Sequence, residues 1–200
     1  MNVRTSTQDP QPNADGADCA ADPARHDACW LREPQSEDLD AIKGWFAQPT
    51  INQWFDFGLG RQQLSALALQ LMLHSKRHRI LVFGCAGYGM ASGLVAVSDV
   101  THPFGTGSFW VLRDASRPAY AGMTCDASLR IIHDTFKRYG MHCITAWAVQ
   151  NNVRSQRLLE RIGFRRIGLQ RSCHLIGEKR RGRVLYDLTP ADLVCKAPRS

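Results

Sequence analysis

The chain has 200 residues, is 44% hydrophobic and 22% charged, and carries a formal net charge of +7. That length and balance suit one globular domain with a single sizeable core, and they exclude a fibrous or wholly disordered chain. Seven cysteines (19, 29, 85, 125, 143, 173 and 195) have no C-x-x-C spacing, so reduced thiols in a cytoplasmic setting are expected, not a disulfide framework. The charge is uneven. Residues 1–27 hold two arginines against five aspartates, whereas residues 113–183 hold 15 Lys or Arg against five acids. Such an excess suits a phosphate-bearing ligand, a nucleic acid, or a solvated surface with no ligand.

Residues 1–27 read as a flexible tail of Asp, Ala and Pro without the apolar run of a signal peptide. "CWLREP" (29–34) reads as a first short strand. "SEDLDAIKGWFAQ" follows as a helix with Ser36 as its N-cap and Leu39, Ile42, Trp45 and Phe46 at helical spacing, ended by Pro49. "TINQWFDFG" reads as a short helix or an irregular aromatic segment. Residues 61–78 read as a further helix, with Leu64, Leu67, Leu71 and His74 on its inward face. Ile80–Val97 contains 18 residues without a charge, but four glycines and the break "AGYG" point to a buried hairpin (79–85 and 90–100) and away from a membrane span.

A strand at 105–114 and the loop "RPAYAGMTCDA" (117–127) come next. The loop runs into a helix over 122–139 whose stripe is Ala127, Ile131, Thr135 and Tyr139, widened by Ile132 and Phe136 and stopped by Gly140. Residues 142–149 read as a strand. Asn152 caps a helix to Ile162 with Leu158, Leu159 and Ile162 inward and Gly163 beyond its end. Two strands around "GEKRRG" finish a domain expected at 28–190, with a C-terminal tail at 191–200. The mixed order of strands and helices predicts an α/β (α+β) layer structure with one central sheet of six to seven strands. His142–Cys143 and Cys173–His174 are strand neighbours whose side chains face opposite ways, so neither a Cys–His nucleophile nor a metal site is expected. "EKRRGR" (178–183) is basic but lacks interleaved aromatics, which argues against nucleic acid.

The pattern N-x-x-S-x-x-x-L-x-x-x-G-F over 152–164, set between two strands, resembles the GCN5-related N-acetyltransferase (GNAT) family, closest to its ribosomal-protein N-acetyltransferase branch. Asp126–Ala127, Phe136, Gly140, Asn152, Ser155, Gly163 and Phe164 fall in the family's register without a gap, and "WLREPQSEDLDAI" looks like its opening strand and helix. The resemblance spans roughly residues 29–190.

The resemblance implies acetyl-CoA as co-substrate, held in a V-shaped opening between two central strands. Its pantetheine would pair with the backbone of Ser108–Leu112, with Trp110, Val111 and Leu112 at the contact. Its pyrophosphate would sit on the amides of Tyr120, Ala121, Gly122, Met123 and Thr124 at the helix N-terminus, an anion site in physical terms, with Arg117 returning to a phosphate. The family loop has glycine where Tyr120 stands, so Tyr120 either swings aside or weakens the site. Asn152 is a plain N-cap or also a pantetheine contact. Ser155 would lie near the CoA sulfur. Leu159 takes the position of the tyrosine that many members use as general acid. Asp99 is the base named by location, with Asp56 and Glu178 as further candidates.

The implied activity is transfer of acetyl to a primary amine, on a protein N-terminus or a small molecule, by direct attack in a ternary complex. Trp45, Trp54 and Phe55 would either wall the acceptor pocket or fill the core. The alternatives are a catalytically weak CoA-binding sensor of the same fold and a basic ribosome- or RNA-associated protein. A monomer or homodimer without membrane association is expected.

Overall fold

The computed structural model describes residues 28–194; the expected tail at 1–27 and residues 195–200 lie outside them. In chain order the elements are β1 (Cys29–Arg32), a 3-10 turn (Ser36–Asp38), α1 (Leu39–Ala47), α2 (Pro49–Asn52), α3 (Ala66–His74), β2 (His78–Cys85), β3 (Gly93–Ser98), β4 (Thr106–Arg113), α4 (Met123–Tyr139), β5 (Cys143–Val149), α5 (Val153–Ile162), β6 (Arg165–Ile176), β7 (Lys179–Leu188) and α6 (Pro190–Val194). The strands form one seven-stranded sheet of order β1-β2-β3-β4-β5-β7-β6. This is the mixed α/β architecture with a single central sheet that the sequence predicts.

Neighbouring strands are antiparallel except β4 and β5. Those two are joined in parallel over only three rungs, Thr106–Cys143, Gly107–Ile144 and Ser108–Thr145. Beyond Ser108, β4 stays paired with β3 as far as Arg113, and β5 stays paired with β7 as far as Val149. The sheet therefore opens into a V at its centre while each arm keeps its outer partner. Gly107 marks the joined end, where a Cβ would meet the Ser98 carbonyl oxygen at 2.6 Å.

Each face of the sheet has its own apolar layer. The helices α4 and α5 cover one face, burying Phe83, Val95, Phe109, Ile131, Ile144 and Ile162. The helices α1 and α3 cover the other, burying Ile42, Trp45, Phe46, Leu69, Val82 and Leu94. Each fully buried side chain of this size contributes roughly 1.5–3 kcal/mol relative to leaving it in water. The uncharged stretch 80–97 is the β2–β3 hairpin, and among the described residues no helix is long and apolar enough to cross a membrane.

Several local expectations are corrected. Ser36 is not a helix N-cap: it begins the 3-10 turn, and Asp38 accepts the Gln35 amide at 2.8 Å and pairs with Arg32, so the α-helix starts one turn later at Leu39. Pro49 follows the end of α1 and opens α2 at its first turn, where its missing N–H costs nothing. The helix expected over 61–78 is only Ala66–His74, capped by Ser65, whose Oγ accepts the Ala68 amide at 3.2 Å. Its inward face is also different. Leu67 and Leu71 are 65% and 64% exposed, whereas Leu69 is buried with Met72 and Leu73 packed beside it. The segment is leucine-rich on every side, so spacing alone did not define its face.

The two edges of the sheet are β1 and β6. Strand β6 pairs with β7 through two register shifts, between Arg166 and Gly168 and between Gln170 and His174, and Ser172 sits at φ +53. After β7, Asp192 ties α6 down: it accepts the Thr189 amide at 2.9 Å and pairs with Arg165.

Candidate active site

A cavity of about 1720 Å³ passes through the V. Because side chains alternate across a strand, Phe109 and Val111 of β4 belong to the α4/α5 layer and Trp110 and Leu112 to the α1/α3 layer, and all four line the cavity. The space is thus walled from both faces. On the α4/α5 face it meets the loop 120–125 and the first turns of α5. On the α1/α3 face it meets Trp54, Phe55, Phe57, Leu64 and Met72.

The loop before α4 brings a helix N-terminus to the cavity wall. Gly122 stands at the N-cap with φ +98, a conformation L side chains avoid. No side chain caps this end of the 17-residue helix, although the Met123 amide donates to the Tyr120 carbonyl at 3.3 Å, and the helix dipole favours a negative charge there. Tyr120 is not at positive φ. Its ring packs against the core and its hydroxyl donates to Asp126 Oδ2 at 2.7 Å. Burial and the adjacent Asp126 carboxylate push the phenol pKa far up, so it stays protonated. The aromatic replacement is therefore folded onto the helix, and Ala121 remains exposed beside the cavity.

A family model described as an acetyltransferase (GNAT) domain matches residues 29–165. The chain belongs to the GNAT family. It is an acetyl-CoA-dependent acyltransferase, with acetyl-CoA as its co-substrate. Among solved structures, it is similar to a spermidine N-acetyltransferase from Vibrio cholerae in complex with CoA and spermine (TM-score 0.73, 16% identity, covering 84% of this chain and 98% of the other). It is also similar to a GNAT-family acetyltransferase from Bacillus anthracis (TM-score 0.65, 15% identity, covering 81% and 95%). At such identities the likeness is one of fold. No curated protein sequence gives a significant match.

Within this GNAT fold the sequence-derived candidates fall into two groups. Trp110, Val111, Leu112, Tyr120, Ala121, Gly122, Met123, Thr124, Asn152 and Ser155 all line the cavity. Asn152 caps α5, its Oδ1 accepting the Ser155 amide at 3.1 Å. Leu159 is buried beneath them. Arg117 stands apart: its Nε is 3.6 Å from Asp114 and its Nη1 contacts Met90. Asp99 lines the far end, in a tight turn at φ +59, with its carboxylate held by Arg77 at 2.6 Å. Glu178 lies in the exposed β6–β7 turn. Trp45 fills the core, donating its Nε1–H to Asp114 Oδ2 at 2.9 Å, whereas Trp54 and Phe55 reach the cavity.

Two features escape sequence reading. Arg113, at the open end of β4, has a buried Nε with no hydrogen-bond partner in the structure. Burial and the positive charge of Arg154 press its pKa down, and Arg154 and Arg157 line the same cavity. The spacing of Arg154, Arg157 and Arg161 along α5 was the available signal. The second feature is a network under the opposite wall. Arg183 lies 4.0 Å over the Trp147 ring and donates to Asp56 Oδ2 at 2.7 Å and to His174 Nδ1 at 3.0 Å. The Gln53 carbonyl accepts from His174 Nε2 at 2.7 Å. A guanidinium can only donate and a carbonyl can only accept, so His174 is the neutral Nε2–H tautomer. Burial first, and then Arg183, lower its pKa in agreement. Burial raises the Asp56 pKa, but Arg183 and the amides of Gly58 and Gly60 outweigh it, so Asp56 is a carboxylate with a lowered pKa.

Proposed function

We propose that the protein transfers acetyl from acetyl-CoA to a primary amine by direct attack within a ternary complex. One observation carries the reading: a single cavity crosses the sheet at the β4–β5 opening, with an anion-seeking helix end on one face and apolar walls on the other. The pyrophosphate would lie on the amides around Gly122. Arg113 and Arg154, two mutually repelling cations on the cavity wall, would gain most from a second phosphate, a role that sequence reading gave to Arg117. The unpaired backbone groups of β4 from Phe109 to Arg113 would hold the pantetheine.

The amine then enters from the α1/α3 face. Its nitrogen lone pair attacks the thioester carbonyl carbon, the C–S bond breaks, and the proton that the nitrogen sheds passes to the departing thiolate. Ser155, in the first turn of α5 and on the cavity wall, would relay that proton. Asp99 and Asp56 both spend their charge on arginines, so proximity supplies much of the rate. The acceptor is a small amine or a protein N-terminus.

Leu159, in place of the family's tyrosine, favours a second reading: a module that binds acetyl-CoA without turnover. Calorimetry with acetyl-CoA and a thiol-release assay with an amine panel separate the two. Micromolar binding with amine-dependent thiol release supports transfer. Binding without release across the panel supports the sensor, and no binding removes both.

A further inference from the structure

We infer that the acceptor is a primary monoamine with an aryl or alkyl body and not a polyamine, an inference that rests on the transfer reading above. The observation behind it is the electrostatic state of the cavity. Three carboxylates line it, and each is already satisfied. Asp56 accepts from Gly58 N at 2.9 Å, Gly60 N at 3.1 Å and Arg183 at 2.7 Å. Asp99 is held by Arg77 at 2.6 Å. Asp114 accepts from the Trp45 indole at 2.9 Å and from the Ser116 amide and hydroxyl at 2.9 and 2.7 Å. A polyamine would bring two or more extra ammonium groups into a cavity that offers them no unspent negative charge. An ammonium drawn out of water there without a counter-charge is disfavoured.

The walls point to what does fit. Phe55 and Phe57 stack at 5.5 Å with 3° between their planes, and Trp110 meets Phe55 edge-on at 5.9 Å. With Trp54, Leu64 and Met72 they form an aromatic and aliphatic surface facing the opening. An apolar amine body is removed from water there, in proportion to the area it buries. The same surroundings lower the pKa of the lone ammonium by desolvation. The pocket itself thereby favours the uncharged amine that attack requires, which accounts for a site whose acids are all committed elsewhere.

The test uses the full chain saturated with acetyl-CoA. Initial rates of thiol release are compared for 2-phenylethylamine, hexylamine, spermidine and spermine. A kcat/KM at least 100-fold higher for the monoamines is expected; equal or better use of spermidine overturns the inference. Binding of the same amines to the CoA-saturated protein is measured by calorimetry as an independent readout. If no amine turns over but 2-phenylethylamine still binds at least tenfold tighter than spermidine, the transfer reading fails and the pocket assignment stands. Tighter spermidine binding overturns the assignment whatever the rates. Arg183→Gln uncovers the Asp56 charge and should raise the spermidine to 2-phenylethylamine ratio at least tenfold. A uniform loss with both amines would mean that the ion pair is structural only and would count against the inference.

Discussion

Gly122 holds φ +98 at the point where the loop meets α4. A β-branched side chain in that conformation costs more than the roughly 1–2 kcal/mol paid by ordinary residues, and it crowds the amides that would face a phosphate. Gly122→Val should therefore raise the acetyl-CoA Kd tenfold or more in calorimetry; unchanged affinity in a folded variant refutes the loop assignment. Arg113 makes a separate prediction. Charge-assisted hydrogen bonds contribute about 1.5–3 kcal/mol, so Arg113→Gln should weaken acetyl-CoA about 10- to 100-fold and flatten the salt dependence of binding. These two residues differ in legibility. Asn152 announced itself because capping chemistry is local and leaves its mark within four residues, whereas Gly122 was legible only through the family's loop pattern. The Arg113–Arg154 pairing was hidden because it joins a strand end to a helix that only the folded sheet brings together. For Tyr120 the sequence left two alternatives, a ring swung aside or a weakened site, and the ring's place on α4 depends on a hydrogen bond to Asp126 that spacing does not reveal.

At the level of elements, α5 depends on its cap. Its N-terminal amides lack intrahelical partners, and Asn152 Oδ1 supplies one to Ser155. Asn152→Ala should cost about 1 kcal/mol, lowering Tm by about 2–4 °C for a domain of this size. A calorimetric melt checks this, and a change in the acetyl-CoA Kd beyond that stability loss would add a pantetheine contact to the cap. Strand and helix positions along the chain were largely legible from turn residues and apolar spacing: β2 and β3 lie where the glycine-broken stretch put them. The splay of β4 from β5 was not derivable from pattern. Both strands look continuous, and nothing in their composition says that pairing stops after Ser108. The α3 face was misassigned because its leucines outnumber the places available in the core.

For the molecule as a whole, acid should act through buried imidazoles before it acts through carboxylates. His174 and His78 both have pKa values lowered from the usual 6.5, with burial the main cause. Asp99 pulls His78 upward and Arg77 pushes it down; Asp56 and Arg183 act likewise on His174. The unfolded chain takes up these protons near pH 6.5 and the native one only at lower pH. Their contribution to stability is therefore complete above pH 6.5 and is lost as pH falls from there through the folded values, by up to about 1.4 kcal/mol per pH unit for each histidine. Urea midpoints should be lower at pH 5.5 than at 7.5, and His174→Gln should reduce that slope. Identical midpoints would contradict the buried neutral assignment. Asp56, Asp114 and Asp192, with pKa values held below 3.8, enter only under about pH 4.

The outermost strand has a consequence of another kind. Strand β6 exposes Ile167, Leu169 and Leu175 along the rim of the sheet, which is the profile of a template for stacking one molecule onto the next. Its two bulges spoil the regular ladder that a newcomer would need, and Arg166 and Arg171 set like charges against any identical rim. The irregular end of this sheet is thus its guard against fibrillar growth, and that guard weakens in concentrated salt, where the charges are screened but the bulges remain.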